Sequence, residues 1–283
     1  MIITSKSAEL TDQLKLYRAN HKRIGFVPTM GALHQGHLSL INASKAGSDV
    51  TICSVFVNPA QFNDPKDFEK YPNTIDNDLQ FLESAGTDIV FLPTVHEIYP
   101  AGISNLEHYD LGYLETILEG QYRPGHFQGV CQVMSRLLAV VQPDGLFMGQ
   151  KDYQQCMVIA KLLAAMNIAS RTQLHICPTV RETDGLAMSS RNLRLNNAER
   201  KKAVAINGAL QFVKKEIHAG DLTKLEIEAA SSLAAQGFKV DYFEIAKADS
   251  LELISEWDGN TKLVALAAAF LNQVRLIDNM LLN

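Results

Sequence analysis

From Arg23 onward, short runs of apolar residues alternate with longer stretches in which apolar residues recur every three or four positions. The runs "RIGFVPT", "VTICSVFVN", "TDIVFLP", "DGLFMGQ" and "LHICPTV" predict strands. The second is nearly continuous in Val, Ile and Phe, which suits a strand covered on both faces of a parallel sheet. Between the runs, Leu38 and Ile41 open a helix that Gly47 can end, and "TIDNDLQFLESAG" offers acidic residues in a first turn, Leu79 and Leu82 on one face and a closing Gly86. Strands that alternate with crossover helices predict an α/β fold, a doubly wound parallel sheet, because parallel neighbours need long right-handed connections.

After about residue 180 the rhythm changes. Two helical stretches, "NAERKKAVAINGALQFVKKEIHAG" and "LTKLEIEAASSLAAQG", precede the strand-like runs "KVDYFEIA", "KLVALAAAF" and "VRLIDNMLL". Helices followed by strands predict a smaller C-terminal α+β domain.

Composition narrows the partners. The 283 residues are 47% hydrophobic and 20% charged with a net charge of -5, an ordinary soluble balance with no chain-wide attraction to nucleic acid or anionic lipid. The longest uninterrupted apolar run, "LVALAAAFL", is too short to span a bilayer, and the start "MIITSKSAEL" has no signal-peptide pattern, so a cytoplasmic chain acting on small molecules, with no membrane and no nucleic acid as partner, is expected. Cys53, Cys131, Cys156 and Cys177 are widely spaced and form no Cys-x-x-Cys pair, which argues against a disulfide scaffold or a structural zinc site.

In a parallel sheet the ligand lies beyond the carboxyl ends of the strands, so the chemistry is sought in the loops that follow them. After "IGFVPT" comes Met30 to His37, with His34 and His37 three residues apart on a helix's first turn and Gly31 and Gly36 allowing close backbone approach. That arrangement suits the phosphates of a nucleoside triphosphate; a helix cap plus a packed ring, or a metal pair, fits the same spacing. After "DGLFMGQ" come Lys151 and Asp152, with Gln155 one helical turn on. After "LHICPTV", Ser189, Ser190 and Arg191 stand in a long Gly-containing connection that reads either as a phosphate-binding loop or as a linker. After "VTICSVFVN", Asn58 and Gln61 offer amides that can hold a hydroxyl or carboxylate, or simply make a turn. Glu119 and Arg123 read equally as a surface pair or as part of the crevice.

With those residues in view, the whole chain resembles the pantoate-β-alanine ligase (pantothenate synthetase) family. "FVPTMGALHQGHLSLI", "VFVNPAQFN", "DFEKYPNT", "RPGHFQGV", "FMGQKDYQQ" and "PTVRETDGLAMSSRN" follow that family's pattern in its order. The resemblance implies a Rossmann-like domain over 1–178 that binds ATP and pantoate, a smaller domain over 179–283 that closes over the site, and a homodimer. It implies that pantoate attacks ATP to give pantoyl adenylate and pyrophosphate with Mg²⁺, after which β-alanine displaces AMP. Carried over by position, ATP falls to Met30, Gly31, Ala32, Leu33, His34, Gln35, Gly36 and His37, to Gly149, Gln150, Lys151 and Asp152, and to Val180, Met188, Ser189, Ser190 and Arg191. The catalytic roles fall to His34, His37, Lys151 and Arg191. Gln61, Gln155 and Asn58 fall to pantoate and β-alanine, and Asp78 to the metal. Two rivals remain at this stage: a transferase that stops at a nucleotidyl product, and a nucleotide-binding protein without chemistry.

Overall fold

The structure is a computed structural model that describes residues 1–62, 68–69, 71–72, 74–104 and 106–283. Position 63 of the segment "VFVNPAQFN" and positions 67, 70 and 73 of "DFEKYPNT" lie outside the described residues. The chain divides into two compact units, Met1–Gly149 with Val158–Pro178, and Gln150–Met157 with Thr179–Asn283.

The first unit is built on a parallel sheet of β1 (Ile2–Thr4), β2 (Ile24–Thr29), β3 (Val50–Val55), β4 (Ile89–Phe91), β5 (Gly145–Gly149) and β6 (Gln173–Cys177), in the order β1-β4-β3-β2-β5-β6. The register sets one apolar row across all of it, Ile2, Ile89, Ile52, Phe26, Leu146 and Leu174. Helices supply the crossovers: α1 (Ser7–Ala19), α2 (Gln35–Gly47), α3 (Ile75–Ser84), α4 (Val95–Ile98), α5 (Leu118–Tyr122), α6 (His126–Val141) and α7 (Tyr153–Ala165). Leu40 and Ile41 of α2 and Leu82 of α3 pack with Val27, Cys53, Val90 and Phe147 of the sheet. Burying each large aliphatic or aromatic side chain of this kind is worth about 1.5–3 kcal/mol, so the apolar spacing of the helices is what fixes them to the sheet.

Two features of this sheet locate a site. From β2 the chain adds β3 and β4 to one side and then returns to add β5 and β6 to the other, so the order reverses between β2 and β5. The β2–β5 pairing covers only Gly25↔Gly145 and Phe26↔Leu146, whereas β2 stays paired with β3 to Thr29 and β5 with β6 to Gly149. Pro28, which has no N–H, falls on β2 where the β5 ladder has already ended. The two central strands are therefore unpaired toward their carboxyl ends at the reversal, the position at which open α/β sheets take their ligands.

The second unit has the antiparallel sheet β11-β10-β8, formed by β8 (Lys239–Lys247), β10 (Leu263–Leu271) and β11 (Val274–Leu281), and a two-residue pair of β7 (Gly220–Asp221) with β9 (Glu256–Trp257). Helices α8 (Asn197–Ala203), α9 (Ala205–Glu216) and α10 (Thr223–Ala235) precede most of these strands. The central β10 is buried along almost all its length, and Ile206, Leu210, Val213 and Leu233 from the helices share its core. The α/β sheet with a smaller α+β part is the fold class expected; the single long helix read at "NAERKKAVAINGALQFVKKE" is divided at Val204. Among the described residues, no helix is long and apolar enough to cross a membrane.

Candidate active site

The loop between β2 and α2 is held in an uncommon shape by named bonds. Gly31 and Ala32 both adopt left-handed backbone, φ +83° and +50°, and for alanine that conformation costs about 1–2 kcal/mol. Asp78 of α3 supplies the compensation. Its Oδ2 accepts from Ala32 N at 3.0 Å and its Oδ1 from Leu33 N at 2.7 Å, while Thr74 Oγ1 donates to Oδ2 at 3.1 Å. At 2% exposure, Asp78 thus has both oxygens engaged by the loop and by its own helix terminus. Thr29 Oγ1 donates to Ser54 O and accepts from Gly31 N, tying the loop to β3.

The loop delivers His34 as the N-cap of α2 and His37 one turn along. His34 Nδ1 accepts from Gly36 N at 3.1 Å, and His37 Nδ1 accepts from His34 N at 3.2 Å. A ring nitrogen that accepts carries no proton, so this network assigns the neutral tautomer with N–H on Nε2 to both rings. The ring centroids lie 4.1 Å apart, so two imidazoles stand side by side at a helix amino terminus. The Nδ1 contacts make His34 the cap of α2, one of the readings that the spacing left open.

The turn after β3 comes next to this loop. Asn58 is 1% exposed and its amide is fully employed: Oδ1 accepts from Ala60 N and Tyr99 Oη, and Nδ2 donates to Gly129 O at 3.0 Å and Gln61 Oε1 at 3.3 Å. Burial pushes the Tyr99 hydroxyl up to about 12, which keeps it a donor at neutral pH. Gln61 Oε1 is thereby fixed and its Nε2 faces Met30 Sδ, joining the two loops. Gly129 of α6 permits this approach, since a Cβ there would stand 2.2 Å from Ala60 O. His126, at the start of α6, is buried and its Nδ1 lies 2.8 Å from Gln61 O. Its Nε2 lies 3.0 Å from Arg123 Nη1, which can only donate, so His126 holds its proton on Nδ1 and donates it to Gln61 O. Arg123, itself half-buried, also pairs at 3.6 Å with Glu119, which is 7% exposed.

Gly149 ends β5 in the first unit, and the remaining candidates belong to the second. Gln150–Asp152 form a turn directly after β5, with Lys151 mostly covered and its Nζ 3.9 Å from Asp152 Oδ1. Gln155 is half-buried on α7. Val180 and Met188 are brought side by side by Met188 N donating to Val180 O at 3.0 Å, in a hairpin closed by the Arg181↔Ala187 bridge. Ser189 then caps the short turn Ser190–Arg194, its Oγ accepting from Arg191 N. Arg200 braces this hairpin through Glu182 and Asp184 at 2.6 and 2.7 Å, and Asn192 bonds Glu182 and Ala187.

Sequence reasoning thus named two sets of residues that the structure gathers within each unit: Met30–His37 with Asn58, Gln61 and Asp78, and Gln150–Asp152 with Val180 and Met188–Arg191. It missed Tyr99, His126 and the pair Asp278–Asn279. Those last two are polar positions inside the apolar run "VRLIDNMLL", and buried polar groups need partners, which was the available signal. Thiol chemistry is not supported: burial pushes Cys53 and Cys131 up to about 12 and raises Cys177.

Comparison with known proteins shows the family of the chain. The family model described as pantoate-beta-alanine ligase matches residues 2–281. The chain is 44% identical over 277 residues to a pantothenate synthetase of Cytophaga hutchinsonii, covering 95% of this chain and 96% of the relative. It is 42% identical over 275 residues to one of Bacteroides thetaiotaomicron, covering 96% and 95%. A crystal structure of the pantothenate synthetase from Thermus thermophilus superposes with a TM-score of 0.89 at 36% identity over 99% of each chain. That of the Francisella tularensis ligase, complexed with beta-gamma ATP and beta-alanine, has a TM-score of 0.82 at 36% identity, covering 99% and 97%. A match of this length and identity establishes that the chain belongs to the pantoate-beta-alanine ligase family.

Proposed function

We propose that this chain joins pantoate to β-alanine at the expense of ATP, through a pantoyl-adenylate intermediate. A pantoate carboxylate oxygen attacks the α-phosphorus of ATP as the bond to the bridging oxygen breaks, releasing pyrophosphate. The β-alanine amine then attacks the acyl carbon, loses a proton and expels AMP. Neither step needs a covalent enzyme intermediate. Catalysis in this reading is positioning plus stabilisation of charge on phosphate oxygens.

The observation that carries the reading is the pair of side-by-side imidazoles, His34 and His37, at the first turn of α2, on the loop that leaves β2 where the strand order reverses. They would donate to the triphosphate, with Met30–Leu33, Gln35 and Gly36 as the surrounding ATP loop. Gly149, Gln150, Lys151, Asp152, Val180, Met188, Ser189, Ser190 and Arg191 complete the ATP set, Lys151 and Arg191 supplying fixed positive charge to the departing pyrophosphate. Gln61 and Gln155 would hold pantoate, and Asn58 would serve it by orienting Gln61. In this proposal the 1–178 region binds ATP and pantoate, the 179–283 region closes over them, and the enzyme works as a cytoplasmic homodimer.

Magnesium fits as a companion of the substrate. With both Asp78 oxygens engaged by Ala32, Leu33 and Thr74, that carboxylate is better suited to shaping the ATP loop than to a resident metal. Mg²⁺ commonly travels on nucleotide phosphates with few protein ligands, and there it would neutralise phosphate charge. The direct test supplies ATP, Mg²⁺, pantoate and β-alanine to the purified protein and omits each in turn. AMP and pantothenate should form in equal amounts only in the complete mixture; sustained turnover without β-alanine would overturn the ligase reading.

A further inference from the structure

We infer that Asn279, on the C-terminal strand β11, is a positioning residue that sets the placement of Lys151; the inference rests on the proposal that Lys151 meets the triphosphate. Asn279 is 2% exposed and lies 128 positions beyond Lys151 in the chain. Its Nδ2 donates to both Gln150 O and Lys151 O at 2.9 Å, and its Oδ1 accepts from Gln150 Nε2 at 3.2 Å. One amide therefore uses both donor hydrogens on consecutive carbonyls of the turn and takes a side-chain donor back from the same turn. A residue of this kind fixes the backbone from which the Lys151 side chain departs, and its own side chain is committed to those bonds.

The neighbouring residues extend the same arrangement. Asp278 receives a two-pronged ion pair from Arg181, Nη1 to Oδ2 at 2.6 Å and Nη2 to Oδ1 at 3.0 Å, and its Oδ1 also accepts from Asn279 N. Arg181 begins the hairpin that leads to Met188–Arg191. On the other flank of the turn, Tyr153 Oη donates to Ala248 O at 2.7 Å. Adjacent positions of one strand thus anchor the lysine turn and the arginine-bearing hairpin. A core strand whose only task was packing would have no use for a buried amide aimed at two carbonyls, because an unfulfilled polar group there is costly.

The isosteric change Asn279→Asp replaces two donors with an acceptor facing the two carbonyls. Pantoate-dependent exchange of pyrophosphate into ATP should fall by roughly 10- to 100-fold, chiefly through ATP, since a displacement of about 1 Å has that weight, while the KM for pantoate stays within about twofold. In a Lys151→Ala background the same change should cost under about threefold, because residues acting as a unit are not additive. Asn279→Thr, which suits a strand and keeps one hydroxyl donor, gives the same comparison should the Asp variant not fold. If Lys151→Ala cripples exchange and Asn279→Asp leaves it unchanged, or if the two losses multiply in the double variant, the inference is overturned. If Lys151→Ala itself exchanges normally, the reading of Lys151 falls instead.

Discussion

Replacing Asp78 by asparagine removes the carboxylate that holds the loop between β2 and α2, the proposed ATP loop, and keeps the volume. In the parent protein the carboxylate accepts two backbone N–H groups, at 2.7 and 3.0 Å, and one hydroxyl at 3.1 Å, in a setting with 2% exposure. Asparagine offers a single acceptor oxygen, so one of the two backbone donors must face an NH₂ group. Hydrogen bonds to a charged group contribute about 1.5–3 kcal/mol each, and an orphaned buried donor costs about 1–3 kcal/mol. One bond lost and the others weakened amount to about 2–4 kcal/mol. Part of that loss should appear locally, because the left-handed Ala32 gains by relaxing once Asp78 lets go. Urea unfolding, amide hydrogen exchange at Ala32 and Leu33, and calorimetric ATP binding measure the three consequences. Lower stability, faster exchange at those two amides and an ATP affinity reduced by about tenfold or more, the equivalent of about 1.4 kcal/mol, are expected. Unchanged exchange protection and a midpoint shift worth less than about 0.5 kcal/mol, combined with an altered Mg²⁺ requirement, would refute the loop argument and return Asp78 to the metal.

Other perturbations test separate parts of the account. His37→Ala and Lys151→Ala should each slow adenylate formation by about two orders of magnitude or more with the fold retained, the usual weight of a donor at developing charge; near-normal single-turnover rates in both would remove them from the chemistry. Gln61→Ala should act mainly through pantoate, raising its KM with ATP dependence little altered, and an unchanged pantoate dependence would count against the role drawn from the Asn58 and His126 contacts. Burial pushes the Glu226 carboxyl up to about 7, against a partial offset from Ile245 N, which donates to it at 2.7 Å. Between its ordinary value near 4.5 and about 7 the folded chain keeps a proton that the unfolded chain has released, so stability should fall as pH rises through that window. Glu226 is only partly buried, which reduces the effect to about 1–2 kcal/mol; Glu226→Gln should regain it at pH 8 and change little at pH 4, and equal urea midpoints for parent and variant at both pH values would contradict the assignment.

Local pattern carried much of the architecture. The runs around Phe26, Ile52, Val90, Leu146 and Leu174 became strands because burial on both faces needs continuous apolar residues. The same logic could not show β1, whose three residues at the sheet edge are too few to stand out. The loops at the strand ends were visible as polar residues after apolar runs, and their common edge follows from all six strands being parallel. What each side chain does there depends on partners distant in sequence. Asn58 looked like a substrate amide, yet its bonds to Tyr99 and Gly129 span 41 and 71 positions. Asp78 was carried over to the metal by resemblance alone, and its bonds to the N–H groups of Ala32 and Leu33, some 45 positions away, are not legible from spacing. The histidine tautomers follow from bonds only two and three residues long, but spacing alone does not say which ring nitrogen faces the backbone.

The claim on which the others rest is that activation of the carboxylate precedes and does not require the amine. Isotope exchange between labelled pyrophosphate and ATP, measured with Mg²⁺ and pantoate in the absence of β-alanine, examines that step alone. Label should enter ATP when pantoate is present and stay out when it is omitted. Exchange that ignores pantoate, or that starts only on adding β-alanine, would contradict the adenylate route.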